Sequence, residues 1–320
     1  MMRAFSYVLL LGSSFFLFYA CTKNTDSSSD LIGNWVRRSD FDGVARSEAV
    51  SFVIGDTAYI GTGYDGTVRL NDLWKYDVDN NYWIQRATMP GTARSSAVAF
   101  NTSTKGYVTT GYDGLLKLKD TWEYTPATNS WAHKSDFGGS ARVDAVAFGI
   151  ADKGYVTTGN DGNDTKDFWQ YDPASDTWTQ KVSLGGSKRE GAVAFVYKNQ
   201  GYVVTGINNG LTVNDFWMYD PAVDKWAEKR FITNVSTDTY DDNYGTTLIV
   251  RSNATAFVMN DKSGTAKAYV CTGENGSILK TVWEYDFAND LWVQKTAWEG
   301  LERTGAISFG VKNRGFLGTG

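Results

Sequence analysis

The chain has 320 residues, is 15% aromatic, and contains 33 Gly, 4 Pro, 2 Cys and a single His. Its formal charge is −5 at pH 7 with no run of Lys or Arg, so the clustered cations that neutralise phosphates are missing and nucleic acid is excluded as a partner. So few thiols and imidazoles argue against a disulfide framework, a His-built zinc site and Ser–His–Asp hydrolysis; no metal and no cofactor is expected.

Residues 1–20 read as a targeting segment. Arg3 supplies a short basic region, and "YVLLLGSSFFLFYA" (7–20) is an apolar run too short for an ordinary spanning helix. It ends in Ala20, and Cys21 follows directly. This junction resembles a bacterial lipoprotein signal, although Phe18 and Tyr19 are bulkier than that family's usual box. The resemblance implies lipidation at Cys21, export to the cell envelope and a membrane hold through the lipid, with the outer membrane as the expected site and either face open. Ordinary secretion with an incidental Cys21 is the alternative. Residues 21–31, small and polar, read as a tether.

From residue 32 onward the chain repeats itself. Thr-Gly pairs fall at 62–63, 110–111, 158–159, 205–206, 272–273 and 319–320, and a second series, Trp35, Trp83, Trp131, Trp178, Trp226 and Trp292, keeps nearly the same period. Both series place one insertion, 230–251, between the fourth and fifth complete units. Each unit carries four short strand patterns bounded by Gly, Asn and Asp turns, with no helical period. In the second unit these are "AVAF" (97–100), "GYVTTG" (106–111), "TWEYT" (121–125) and "SWAHK" (130–134). Sheets of this kind bury both faces by stacking radially.

An Arg before strand one, a Gly after strand two, a "D-x-W-x-Y-D" third strand and a Trp in strand four, seen in "NDLWKYDVDNNYWIQ" (71–85) and "NDFWMYDPAVDKWAE" (214–228), resemble the kelch repeat. The resemblance covers 32–320 and departs in writing Thr-Gly where kelch repeats usually carry Gly-Gly. It implies an all-β, six-bladed β-propeller of four-stranded antiparallel blades. The sixth blade is expected to be incomplete: 304–320 supply two strands, "NWVRR" (34–38) supplies the fourth, and the third is expected beyond Gly320. Galactose oxidase shares this propeller class, but its copper site needs two His ligands; with only His133 here, such an oxidase is excluded.

Three groups of side chains are candidate sites. Arg46, Arg94, Arg142, Arg189, Arg251 and Arg303 each precede an innermost strand, so they either ring one channel mouth and hold an anionic ligand or acidic peptide, or each brace the neighbouring blade through backbone carbonyls. Two positions later stand Glu48, Ser96, Asp144, Gly191, Asn253 and Gly305; within this variable set Glu48 and Asp144 are a candidate acid/base pair, or partners of nearby arginines. In the insertion, Tyr240 and Tyr244 alternate with Asp238, Asp241 and Asp242 on the same face, as a binding loop or a solvated one. The twelve Trp read as packing between blades rather than a glycan platform. The expectation is a lipid-anchored envelope module that binds a ligand, glycan or protein on its propeller face, without catalysis. The alternatives are an enzyme acting on an acidic sugar, as sialic-acid epimerases with kelch propellers do, and a structural module of an envelope assembly.

Overall fold

Alternation of apolar and polar residues, broken by Asx-Gly turns, folds each repeat into one antiparallel sheet. In the computed structural model, which describes residues 35–232 and 249–320, the first blade orders Val50–Ile54, Thr57–Gly61, Leu73–Asp77 and Tyr82–Arg86 from the channel outward. The second orders Val98–Asn101, Gly106–Thr109, Thr121–Thr125 and Ser130–Lys134. The third orders Val146–Ile150, Lys153–Thr157, Phe168–Asp172 and Thr177–Lys181. The fourth orders Val193–Tyr197, Gln200–Val204, Phe216–Asp220 and Lys225–Lys229, with a short ribbon, Ile207–Asn208 and Leu211–Thr212, in its loop. The fifth orders Thr255–Asn260, Ala266–Cys271, Val282–Asp286 and Leu291–Lys295. Cys21, Tyr240 and Tyr244 lie outside the described residues.

The blade count corrects the sequence-based expectation. The propeller has five four-stranded blades, not six. Ile307–Val311 and Arg314–Gly318 form a two-stranded hairpin that closes the circle between the fifth blade and the first. Residues 35–40 form no strand. The reason is local: Arg314–Gly318 has no strand on its outer side among the described residues, so residues 35–40 meet no ladder to join.

Neighbouring blades are clipped at two levels. Near the outer hairpins, an Asn or Asp in the left-handed region accepts from its own blade's Tyr and from the chain leaving the previous blade. Asn129 Oδ1 takes the Tyr124 hydroxyl at 2.8 Å and the Ala87 N–H at 3.0 Å; Asp176 Oδ1 takes Tyr171 at 2.6 Å and the Ser135 N–H at 3.0 Å. Between the sheets, aromatic rings press on glycine backbone. A Cβ at Gly154 would lie 2.1 Å from the Phe100 ring of the preceding blade, so this position sets the blade spacing.

Each Thr-Gly pair ends strand two in the left-handed region, with Thr110 at φ 63° and Gly111 at φ 104°. A β-branched residue is strained there, and the Thr110 hydroxyl is buried without a hydrogen-bond partner. This explains why a Gly suits the first position as well. We predict that Thr110→Gly raises unfolding free energy by about 1 kcal/mol, strain relief and loss of the orphan hydroxyl outweighing added chain entropy. Gly154→Ala, which overpacks Phe100, lowers it by about 1–3 kcal/mol. Urea unfolding of both variants checks the pair.

Candidate functional site

The repeated arginines lie buried inside the blades, on one plan. Arg94 donates from Nε to Thr92 O at 3.0 Å and from Nη1 to Thr110 O at 3.0 Å. It also grips Asp120 bidentately, Nη1 to Oδ1 at 2.7 Å and Nη2 to Oδ2 at 2.6 Å. Arg142 does the same with Ser140, Thr158 and Asp167. Arg46 pairs with Asp72, and Arg189 with Asp215. In the first three blades the Trp two residues after the Asp adds an indole N–H, as Trp122 Nε1 reaches Asp120 Oδ2 at 2.6 Å. Burial works to raise the Asp120 and Asp167 carboxyls, but their arginines and indoles outweigh it and hold both below the ordinary carboxylate value.

Five of the six guanidiniums are thus 0–4% exposed and engaged with their own blade. The channel wall is made instead of small side chains such as Ala49, Ser51, Ala97, Ala147, Thr255 and Ser308. Two arginines break the plan. Arg251 meets Thr281 where the others meet Asp, through Nη2 to Oγ1 at 2.9 Å, and burial pulls its pKa down to about 10. Arg303, half-buried, donates to Leu301 O and Thr319 O and stacks on Trp298 at 5.1 Å, with no carboxylate against it among the described residues.

The variable set two residues on does stand at the channel mouth. Its backbones form a closed ring of hydrogen bonds: Ser96 N–H to Glu48 O at 3.1 Å, Asp144 to Ser96 at 3.2 Å, Gly191 to Asp144 at 2.9 Å, Asn253 to Gly191 at 2.9 Å, Gly305 to Asn253 at 3.0 Å and Glu48 to Gly305 at 2.8 Å. All six residues have positive φ. The ring holds Glu48 and Asp144 on either side of Ser96, whose hydroxyl donates to Glu48 Oε2 at 3.0 Å. Burial, with the charges of Glu48 and Glu190, pushes Asp144 up to about 6. Burial and Asp164 also raise Glu190.

Around this ring, the residue after the Thr-Gly pair varies: Tyr64 and Tyr112, then Asn160, Ile207 and Glu274, each bridged to the chain beside an arginine. Arg69 lies over the Tyr64 and Tyr112 rings at 5.0 and 4.6 Å, and Lys117 donates to Asn160 Oδ1 at 2.7 Å. The sequence marks these positions only as the variable letter in a constant "Thr-Gly-x". The loop tips beyond them carry exposed apolar side chains: Leu115 is 81% exposed and Leu211 75%, with Val68, Leu116 and Ile278 also exposed. His133 lies elsewhere, on a fourth strand, against Trp122 and near Asp136.

Residues 45–90 match the family described as Kelch motif, a span that contains Arg46, Asp72, Trp74 and Trp83. A solved structure titled "Structure of YjhT" superposes with a TM-score of 0.69 at 18% identity, over 86% of this chain and 90% of that one, a likeness of fold. No curated protein matches the chain. The chain therefore carries the kelch motif on an all-β propeller.

Two predictions follow from the site. Thr281→Asp supplies the carboxylate that Arg251 lacks and raises stability by about 1–3 kcal/mol, measured by thermal or urea unfolding. For Asp144, the folded chain holds the proton more tightly than the unfolded chain does. Its contribution to stability therefore declines as pH rises from 3.8 to about 6 and stays lost above. Asp144→Asn is expected to flatten that decline and to be the more stable protein at pH 7 by roughly 1–2 kcal/mol.

Proposed function

We propose that the chain is a lipid-anchored binding module of the cell envelope whose loop face docks a protein partner. The observation that carries this reading is the contrast on that face: a repeated frame presents side chains that vary around the propeller. Exposed Leu115, Leu116, Leu211, Val68 and Ile278 form an apolar rim, and Glu48, Asp144, Glu190 and Glu274 make the mouth acidic. Apolar tips around a charged centre suit a partner that covers the rim and offers a cationic or hydroxyl-bearing group to the mouth. An anionic ligand would have to take Arg46, Arg94, Arg142 and Arg189 from their aspartates. The Ala20–Cys21 junction supports the anchor.

The test is recovery of cross-linked partners from intact cells. The wild-type chain is expected to capture a partner that Leu115→Asp/Leu116→Asp/Leu211→Asp loses while keeping its melting temperature. Retention of that partner by the triple variant sinks the docking reading. Separately, Cys21→Ser should move the protein from the membrane fraction to the soluble one; unchanged fractionation removes the anchor.

One observation favours catalysis as a second reading. A carboxyl raised to about 6 in a polar mouth is suited to acid/base work near neutrality. Acceleration of anomer exchange in anionic monosaccharides by the wild type, lost in Asp144→Asn, supports it.

A further inference from the structure

One position on the loop face joins each of the first three blades to the next, and its side chain changes each time. It is the residue bridged to the one after Thr-Gly: Arg69, Lys117 and Asp164. Lys117 reaches the next blade by donating from Nζ to Asn160 Oδ1 at 2.7 Å, and Asp164 by accepting the Asn209 N–H at Oδ2, at 2.6 Å. Arg69 makes the same join without an acceptor. Its Cζ lies 5.0 Å from the centre of the Tyr64 ring in its own blade and 4.6 Å from that of Tyr112 in the next. Both hydroxyls are spent on their own loops, donating to Gly66 O at 2.8 Å and to Gly114 O at 2.9 Å. A ring face holds a cation but takes up none of its in-plane N–H donors. Arg69 Nε is buried with no hydrogen-bond partner, and no carboxylate is paired with the guanidinium among the described residues. Asp65 and Asp113 head the turns on either side, but Oδ1 of each takes N–H groups of its own turn, those of Thr67 and Val68 and those of Leu115 and Leu116. The same turns carry the exposed side chains of Val68, Leu115 and Leu116.

We propose that Arg69 receives a side-chain carboxylate of the docked protein, one flanked by apolar residues that cover Val68, Leu115 and Leu116. This rests on the docking reading above and names what the partner must carry. A carboxylate matches the guanidinium fork and takes two parallel N–H bonds. The tyrosine rings hold the guanidinium before the partner arrives, so little ordering is left to do on binding. The apolar tips exclude water once covered, which strengthens the pair inside them. A phosphate is the poorer match, because its second charge would stand beside Asp65 and Asp113. The contact also fixes how the partner is turned. The frame repeats around the channel, but Arg69 has no second copy at its position, where the later blades carry Lys117, Asp164, Thr212 and Ile278. A carboxylate at Arg69 and a cation at the acidic mouth together select one rotation.

The probe is a random peptide library displayed on phage and selected on the full chain, with counterselection on the Leu115→Asp/Leu116→Asp/Leu211→Asp variant to keep loop-face binders. The enriched sequences are expected to share one Asp or Glu between apolar residues. An enriched peptide is then synthesised with its acid, with the matching amide, and with phosphoserine at that place. On the wild type the amide form should bind roughly tenfold more weakly than the acid. Arg69→Gln should erase that difference, and Arg69→Lys, which keeps the charge without the fork, should restore only part of it. If Arg69→Gln is poorly folded, the comparison is made on Arg69→Lys alone, where an acid-to-amide ratio equal to that of the wild type overturns the proposal. Enriched binders without an acid, or the same loss on Arg69→Gln as on the wild type, overturn the proposal and leave the docking reading standing. Tighter binding of the phosphoserine form than of the acid overturns the choice of a carboxylate. A library that yields no binder sensitive to the three leucine substitutions overturns the docking reading and this proposal with it.

Discussion

Each blade depends on a buried guanidinium that ties three pieces of chain together. Arg94 binds the segment that enters its blade, the carbonyl that ends strand two and the aspartate that opens strand three. A buried charge is tolerable only when paired and fully hydrogen-bonded, and here nearly every donor is met. The left-handed Thr-Gly turn serves the same purpose, since it is the Thr carbonyl that receives Nη1. The strain at that Thr and the buried pair are thus two sides of one arrangement. It fixes where the loops leave the sheet, and so where the loop face stands.

That constraint explains the division of labour on the channel mouth. The arginine of the staple repeats from blade to blade, and its aspartate repeats in the first four blades, with Thr281 in its place in the fifth. Positions one step beyond it, at the backbone ring and after Thr-Gly, carry no such duty and vary around the propeller. Glu48, Asp144, Tyr64 and Tyr112 are there without being needed for the sheet. At Arg303 half of the arrangement is present: the carbonyl partners of Leu301 and Thr319, without a carboxylate among the described residues.

Much of this was legible in the sequence. The period of Thr-Gly and Trp marked the repeats, and Asx before Gly marked the turns, because both report local backbone geometry. A brace through backbone carbonyls was legible for the arginines, but to the neighbouring blade, whereas their side chains bond within their own; Asp72, Asp120, Asp167 and Asp215 stand in the repeat where the partner carboxylate is needed. The number of blades was not legible. Counting motifs assigned "NWVRR" to a strand, but a strand exists only where a neighbour offers hydrogen bonds, and nothing in residues 34–38 reports that neighbour. The mouth was half legible: its backbone ring follows from positive φ at six aligned positions, which a non-Gly residue such as Glu48 or Asp144 does not announce. The Arg69 sandwich between Tyr64 and Tyr112 joins two blades and has no local signature.

The central claim is that the repeated arginine holds the blade and is not a free ligand donor. A double-mutant cycle on Arg94 and Asp120, with Arg94→Met and Asp120→Leu singly and together, tests it most directly. Each single variant is expected to lose about 3–5 kcal/mol of stability, and the double variant to lose much less than their sum, giving a coupling of at least about 2 kcal/mol. Additive losses, with the folded Arg94→Met protein losing affinity for an anion that the wild type binds, would contradict the account.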